Sequence, residues 1–269
     1  MTSSVDIHKA QRPRTRRFRS FRSITALILR EMASRYGRTP GGYLWAILEP
    51  VAGIAVLSVV FSLILRSPPL GTNFPYFYAS GLIPFFFYNM ISSQIASALQ
   101  YSKALLSYPV MTFVDAITAR FLLNGLTQLF IMVIIMTGII NVYDLKPILN
   151  WPALFMATGM LLAVTICVGT LNCFLFTMFP VWQNIWSVLT RPMFLISGIF
   201  FLPENLPPKA REIFLYNPVA HIISEYRNGF FATYDANYVS PIYVFTTSIV
   251  IGLFGILLLL RNYKDLMLK

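Results

Sequence analysis

The chain has 269 residues, 57% of them hydrophobic and only 12% charged, with a formal net charge of +11. A typical soluble domain is about 25% charged, and its polar exterior cannot hide this much apolar surface. A water-soluble enzyme, a disordered chain and a secreted disulfide scaffold are therefore excluded, which leaves an all-α, polytopic membrane protein.

The first 44 residues carry ten Lys and Arg against only Asp6 and Glu31. No apolar run closely follows the start, so this is not a cleavable signal peptide. A basic tail could bind nucleic acid. One that leads straight into membrane spans is better read as the topology signal that holds the N-terminus in the cytoplasm. Residues 1–23 are expected to be a flexible cytoplasmic tail and 24–269 a single membrane domain. Residues 24–36 (ITALILREMASRY) predict an interfacial amphipathic helix. Ile28, Leu29, Met32, Ala33 and Tyr36 fall on one arc, and Arg30, Glu31, Ser34 and Arg35 on the other, with Ile24 and Leu27 as exceptions. Glu31 and Arg35 form an i,i+4 pair. Gly37, Pro40, Gly41 and Gly42 then form a bend into the first span.

Apolar runs at 45–65, 76–99, 117–140, 151–178, 182–202 and 241–260 predict six transmembrane helices. An even number returns the C-terminus to the cytoplasm. On this topology fifteen Lys and Arg lie on the cytoplasmic side, among them Lys103, Arg120 and Arg261. Five lie opposite: Arg66, Lys146, Lys209, Arg211 and Arg227. That asymmetry fits the positive-inside rule. Residues 100–116 are too polar at their edges to span and too apolar for an idle loop. They predict a short helix presenting Leu105, Leu106 and Tyr108 to a cytoplasmic partner, or else an interfacial loop. Residues 203–238 contain two apolar pieces, Ile213–Tyr216 and Val219–Ile223, each too short to cross. They predict short periplasmic re-entrant helices before the last span.

Several chemistries are missing. No lysine follows a glycine, so there is no G-x-x-x-x-G-K-[ST] phosphate loop and the chain cannot bind ATP in that way by itself. Hydrolase and zinc motifs are lacking too. His8 and His221 are far apart and give no metal spacing. Cys167 and Cys173 lie about 240° apart around a helix, too far round to bridge, and read as small apolar fillers. Glu49 is the only carboxylate inside a predicted span. A proton-driven carrier normally needs more.

Two intramembrane charges need an account. Arg191 falls near mid-membrane, where an arginine costs about 2.5–3.5 kcal/mol unless it meets water or a partner. It either lines a hydrated path and attracts an anionic substrate, or pairs with a carbonyl or Glu49. Glu49 is expected to pair with Arg35 or Arg38 at the interface. Aromatic residues cluster in span two (Tyr76, Phe77, Tyr78, Phe85, Phe86, Phe87, Tyr88) and at the two ends of span five (Trp182, Trp186; Phe200, Phe201). Aromatic faces suit the apolar face of a sugar ring; interfacial belts or plain packing are the alternative.

The strings LILREMASRYGRTPGGYLWAILEP, FPYFYASGLIPFFFY, LLSYPVMTFVDAITAR, SGIFFLPENLP and YNPVAHIISEYRNGFF together resemble the ABC-2 permeases. They are most similar to the inner-membrane permeases of capsular polysaccharide exporters (KpsM type), from about residue 24 to the C-terminus. The resemblance implies a multi-pass protein of the bacterial inner membrane, working as a homodimer that pairs with two separate ABC ATPase subunits. Those subunits would bind ATP and Mg, so this chain would hold no cofactor, metal or catalytic residue. Lys103, Leu105, Leu106, Tyr108 and Pro109 would belong to the coupling helix in the ATPase cleft. Arg30, Arg35, Arg38 and Glu49 would lie at a lateral gate formed by the interfacial helix with spans one and five. Arg191 falls in TRPMFLISGIFF, where relatives tend to place a basic residue. It would line the substrate pathway with Tyr76, Phe77, Phe85, Tyr88, Trp182, Trp186 and Phe200. The cargo would be a lipid-linked, usually acidic polysaccharide, passed on through a periplasmic co-polymerase adaptor and an outer-membrane channel. A sibling exporter of O-antigen, teichoic acid, lipid or drug is the alternative.

Overall fold

The computed structural model describes residues 19–35, 42–106 and 112–262. All regular structure among them is helical: α1 (Arg19–Arg35), α2 (Gly42–Ile64), α3 (Phe74–Ala96), α4 (Ala98–Leu106), α5 (Phe113–Val142), α6 (Trp151–Met178), α7 (Pro180–Ile196), α8 (Pro208–Leu215), α9 (Pro218–Phe230) and α10 (Pro241–Arg261), plus a 3-10 turn at Pro203–Asn205. Four helices, α2, α5, α6 and α10, are long and apolar enough to cross a membrane. The other two expected spans differ from these. Ser80, Asn89, Ser92, Ser93 and Gln94 make α3 more polar, and α7 has only 17 residues, among them Gln183, Asn184, Ser187, Thr190 and Arg191.

Local chemistry explains where the helices start. The Asn73 side chain accepts from the Tyr76 amide at 3.0 Å, with Pro75 in the first turn of α3. Thr112 and Asp115 form a reciprocal capping box that starts α5 at Phe113, four residues before the expected start at 117. Asn150 and Ser240 cap α6 and α10, each again with a proline in the first turn. α1 also begins early. Residues 19–23, expected in the flexible tail, are its first turn, with Ser23 buried and the Thr25 hydroxyl bonded to the Phe21 carbonyl at 2.8 Å. Its two apolar exceptions to amphipathicity find a use: Leu27 is buried and Ile24 half-buried, while Leu29 and Met32 stay exposed. That inner face packs on α5.

α3 is the hub of the fold, packed against α2, α5, α6 and α9. From Tyr76 to Phe85 every residue is buried, so helix–helix packing surrounds it. α6 and α10 meet backbone to backbone. A Cβ on Gly252 would lie 2.7 Å from Cys167 Sγ, and one on Gly255 would lie 2.8 Å from the Leu171 backbone nitrogen. Small residues at such a seam let dispersion contacts form where burial from water gives no drive.

The fifth expected span, 182–202, requires correction. α7 runs from Pro180 to Ile196 and then stops, because Gly198 takes a positive φ of 78°. A side chain there would also strike the Phe214 ring, with Cβ 2.7 Å from Cζ. Residues 197–202 instead form a buried turn leading into the 3-10 turn.

Candidate functional site

A cavity of about 710 Å³ opens between α7 and the face of α3 that continues into α4. Phe85, Asn89, Ser93 and Gln94 enter it from α3, and Gln183, Trp186, Ser187, Thr190 and Arg191 from α7. Helical spacing brings these residues onto one face each. Positions 89 and 93, and 183 and 187, lie one turn apart. The cavity therefore combines aromatic faces, amides and hydroxyls that both donate and accept, and a single guanidinium. Arg191 is exposed to this space. At one end the cavity runs into a line of rings: Phe85 to Phe194 at 5.3 Å, Phe194 to Phe200 at 5.1 Å, and Phe200 to Phe61 at 5.7 Å between centroids.

The structure divides the expected pathway residues. Arg191, Trp186 and Phe85 share the cavity. Phe200 sits half-buried just beyond, and Trp182 is set at the entrance of α7 by a 3.0 Å bond from its indole nitrogen to Asn172 Oδ1. Tyr76, Phe77 and Tyr88 are buried in the core, away from the lining of this cavity. Tyr76 donates to the Phe230 carbonyl at 3.1 Å and its ring lies tilted against Phe231 with centroids 4.9 Å apart, so it fixes α3 to the end of α9.

A second cavity, of about 560 Å³, lies between α1, the α3–α4 junction and α5. Gln94 and Tyr101 line both cavities, so the two lie back to back across these residues. Arg30 lines this second space from α1, beside Glu31 and Arg120. Glu31 pairs with Arg120 across helices at 3.3 Å. Glu49 is exposed on α2. Arg38, Tyr108 and Pro109, and the side chains of Arg35, Lys103, Leu105 and Leu106, lie outside the described structure. The backbone of α4 covers the first part of the expected coupling segment.

Two arginines that the sequence places among loop charges turn out to be internal. Arg227, counted among the outward-facing charges, is completely buried. Its guanidinium donates to the Ile199 carbonyl at 2.9 Å and the Phe201 carbonyl at 3.2 Å, and lies 4.3 Å above the Phe77 ring. It thus satisfies the carbonyls left open where α7 breaks at Gly198. A hydroxyl chain beside it runs from Glu204 through Tyr234 (3.1 Å) and Tyr238 (2.7 Å) to Ser224 (2.7 Å). His221, on the same helix, donates from Nε2 to the Leu215 carbonyl at 2.9 Å and accepts the Ser240 amide at Nδ1. Burial lowers its pKa below the usual imidazole value, so the neutral ring is the native form.

The sequence pattern of the ABC-2 type transporters matches residues 22–231, which run from α1 through α9. The chain belongs to the ABC-2 type transporter family. It is 30% identical over 246 residues to the polysialic acid transport protein KpsM of Escherichia coli, covering 91% of this chain and 95% of that protein. It is 27% identical over 243 residues to the capsule polysaccharide export inner-membrane protein CtrC of Neisseria meningitidis serogroup B, covering 90% and 92%. It is also 25% identical over 247 residues to the O-antigen export system permease protein RfbA of Klebsiella pneumoniae, covering 88% and 90%. The matches therefore span nearly whole proteins on both sides. Within this ABC-2 chain the cavity between α3 and α7 falls wholly inside the family region.

Proposed function

We propose that this chain is the membrane-spanning permease of an ATP-driven exporter that moves a lipid-linked capsular polysaccharide across the bacterial inner membrane. The observation that carries the reading is the cavity between α3 and α7. Its rings, amides, hydroxyls and lone arginine are the contact set a hydroxylated polymer with occasional negative charge requires. Relatives named for polysialic acid transport and capsule polysaccharide export support the cargo class.

In this reading α3 and α7 join the four long apolar helices as spans, α3 shielded by its neighbours and α7 turning Gln183, Ser187 and Arg191 to the cavity. Both termini face the cytoplasm. α1 lies along the inner leaflet and α8–α9 form the re-entrant outer cap. Arg30, Arg35, Arg38 and Glu49 line a lateral gate at the inner leaflet, and the polymer then passes Arg191, Trp186 and Phe85. Two copies form the conduit. Two ABC ATPase subunits, holding ATP and Mg, act on α4 and residues 103–109. A periplasmic adaptor and an outer-membrane channel receive the product. O-antigen is the second reading of the cargo, favoured by the relative named for O-antigen export.

The test is purification of the chain from its native host. The proposal requires a nucleotide-binding subunit to accompany it in a two-to-two ratio. It also requires loss of the gene to remove surface polysaccharide. A chain that purifies without an ATPase, from cells whose capsule is unchanged by its deletion, refutes the proposal.

A further inference from the structure

The two adjacent cavities share a wall, and one side chain holds that wall together. Arg120 stands on α5 and is only 6% exposed. Its Nε pairs with Glu31 on α1 at 3.3 Å. Its Nη1 donates to the Gln94 carbonyl in the last turn of α3 at 2.9 Å and to the Ser97 hydroxyl at 3.1 Å. Its guanidinium plane lies 4.4 Å from the centroid of Tyr101 on α4. One residue of α5 thereby touches α1, α3, the α3–α4 break and α4.

The junction is a single residue out of helical geometry through which the hydrogen-bond ladder carries on, from the Ser97 amide to the Ser93 carbonyl and from the Tyr101 amide to the Ser97 carbonyl. Ser97 ends α3, and its hydroxyl folds back onto the Ser93 carbonyl at 3.0 Å, while α4 resumes at Ala98. A displacement of α4 is carried through this ladder to the end of α3, and through Tyr101 to Arg120. Because the guanidinium is a rigid planar fork, it cannot follow Tyr101 without turning against Glu31 and Gln94. The ion pair is largely withdrawn from solvent, with side-chain exposures of 7% and 15%, so bulk salt screens it weakly. Gln94 and Tyr101 also line the pathway cavity, so turning the fork alters that cavity's floor.

We infer that Arg120 is a positioning residue for transport: it links movement of α4 to the stance of α1 and to the shape of the pathway floor. The inference rests on the reading that an ATPase subunit engages α4.

The experiment uses the intact complex of the chain with its ATPase, reconstituted in proteoliposomes, and compares Glu31→Gln, Arg120→Lys and the double variant. ATP hydrolysis, polymer translocated and melting temperature are measured on the same preparations. Arg120→Lys keeps the charge and loses the fork; Glu31→Gln keeps the shape and loses the pair. Each single variant is expected to retain hydrolysis within about twofold and to lower polymer moved per ATP about tenfold, the size of a typical coupling between sites. The double variant is expected to fall little further, because both changes cut the same link. Unaltered polymer per ATP in both single variants overturns the inference and leaves the functional reading standing. Hydrolysis and export that fall in proportion to a lost melting temperature overturn it as well, because they show a structural role alone. A wild-type complex that hydrolyses ATP without moving polymer overturns the functional reading and this inference with it.

Discussion

Arg227→Met tests whether the buried guanidinium holds the outer turn in place. The change keeps the apolar stem and removes the donors to the Ile199 and Phe201 carbonyls. Hydrogen bonds from a charged group are worth about 1.5–3 kcal/mol each. The contact with Phe77, 4.3 Å from the ring centroid, adds up to about 2 kcal/mol when desolvated. Against these stands relief from burying a charge, which is several kcal/mol because its Nε finds no acceptor among the described residues. The balance is a loss of about 3 kcal/mol. At roughly 2–4 °C per kcal/mol for a chain of this size, the melting temperature should fall by about 6–12 °C. The assay is thermal unfolding of the purified protein in detergent, with Lys209→Met as a control, since Lys209 is exposed in the same region. If Arg227→Met shifts the transition no more than Lys209→Met, the buried arginine is not a structural pin and the reasoning fails.

Arg191→Ala should cut surface polysaccharide severalfold while the protein stays at normal level in the membrane; unchanged capsule by antibody staining would remove Arg191 from the pathway. Polar replacement of Leu105 and Leu106 should leave ATP hydrolysis running without export, read as ATP turnover against polymer release in vesicles. Two glycine changes should have opposite signs in the melting temperature. Gly255→Ala places a Cβ 2.8 Å from the Leu171 backbone, where no rotamer change can help, and should destabilise by about 1–3 kcal/mol. Gly138→Ala meets nothing within 4 Å and should stabilise α5 by about 0.5–1 kcal/mol. His221 gives a pH dependence. Its folded pKa lies below the free value, so the unfolded chain takes up the proton first and stability falls as pH drops below about 6.5. His221→Gln should flatten that part of a melting-temperature profile, and an unchanged slope would show that another group is responsible.

The apolar runs in the sequence locate α2, α5, α6 and α10 within a few residues, because a stretch that meets lipid or apolar neighbours has little else to signal. α7 is shorter than its apolar run suggests, since 197–202 remain apolar while leaving the helix. Only Gly198 marks the turn, and a single glycine is a weak sign. The lining of the cavity between α3 and α7 is half legible in the sequence. Arg191 and Trp186 stand out as a charge and a ring in a greasy run, whereas Asn89, Ser93, Gln183 and Ser187 look like ordinary interruptions of it. Their i,i+4 spacing was the available signal. Arg120 and Arg227 could not be read correctly from sequence. Each looks like a flanking loop charge, and their partners lie 26 to 28 residues away or on another helix, so only the folded chain brings them together.

Where Gly252 and Gly255 let α10 lie directly on α6, two columns share one spine. Such a beam resists shear, because sliding by even half a residue drives backbone into backbone. It is suited to be the stator of a moving machine. Rocking must then be taken up at the joints that flank it, at Phe179 between α6 and α7 and at Ser97 between α3 and α4. Spin labels placed across the α6–α10 seam should hold their separation throughout the transport cycle, while labels across either joint report the stroke.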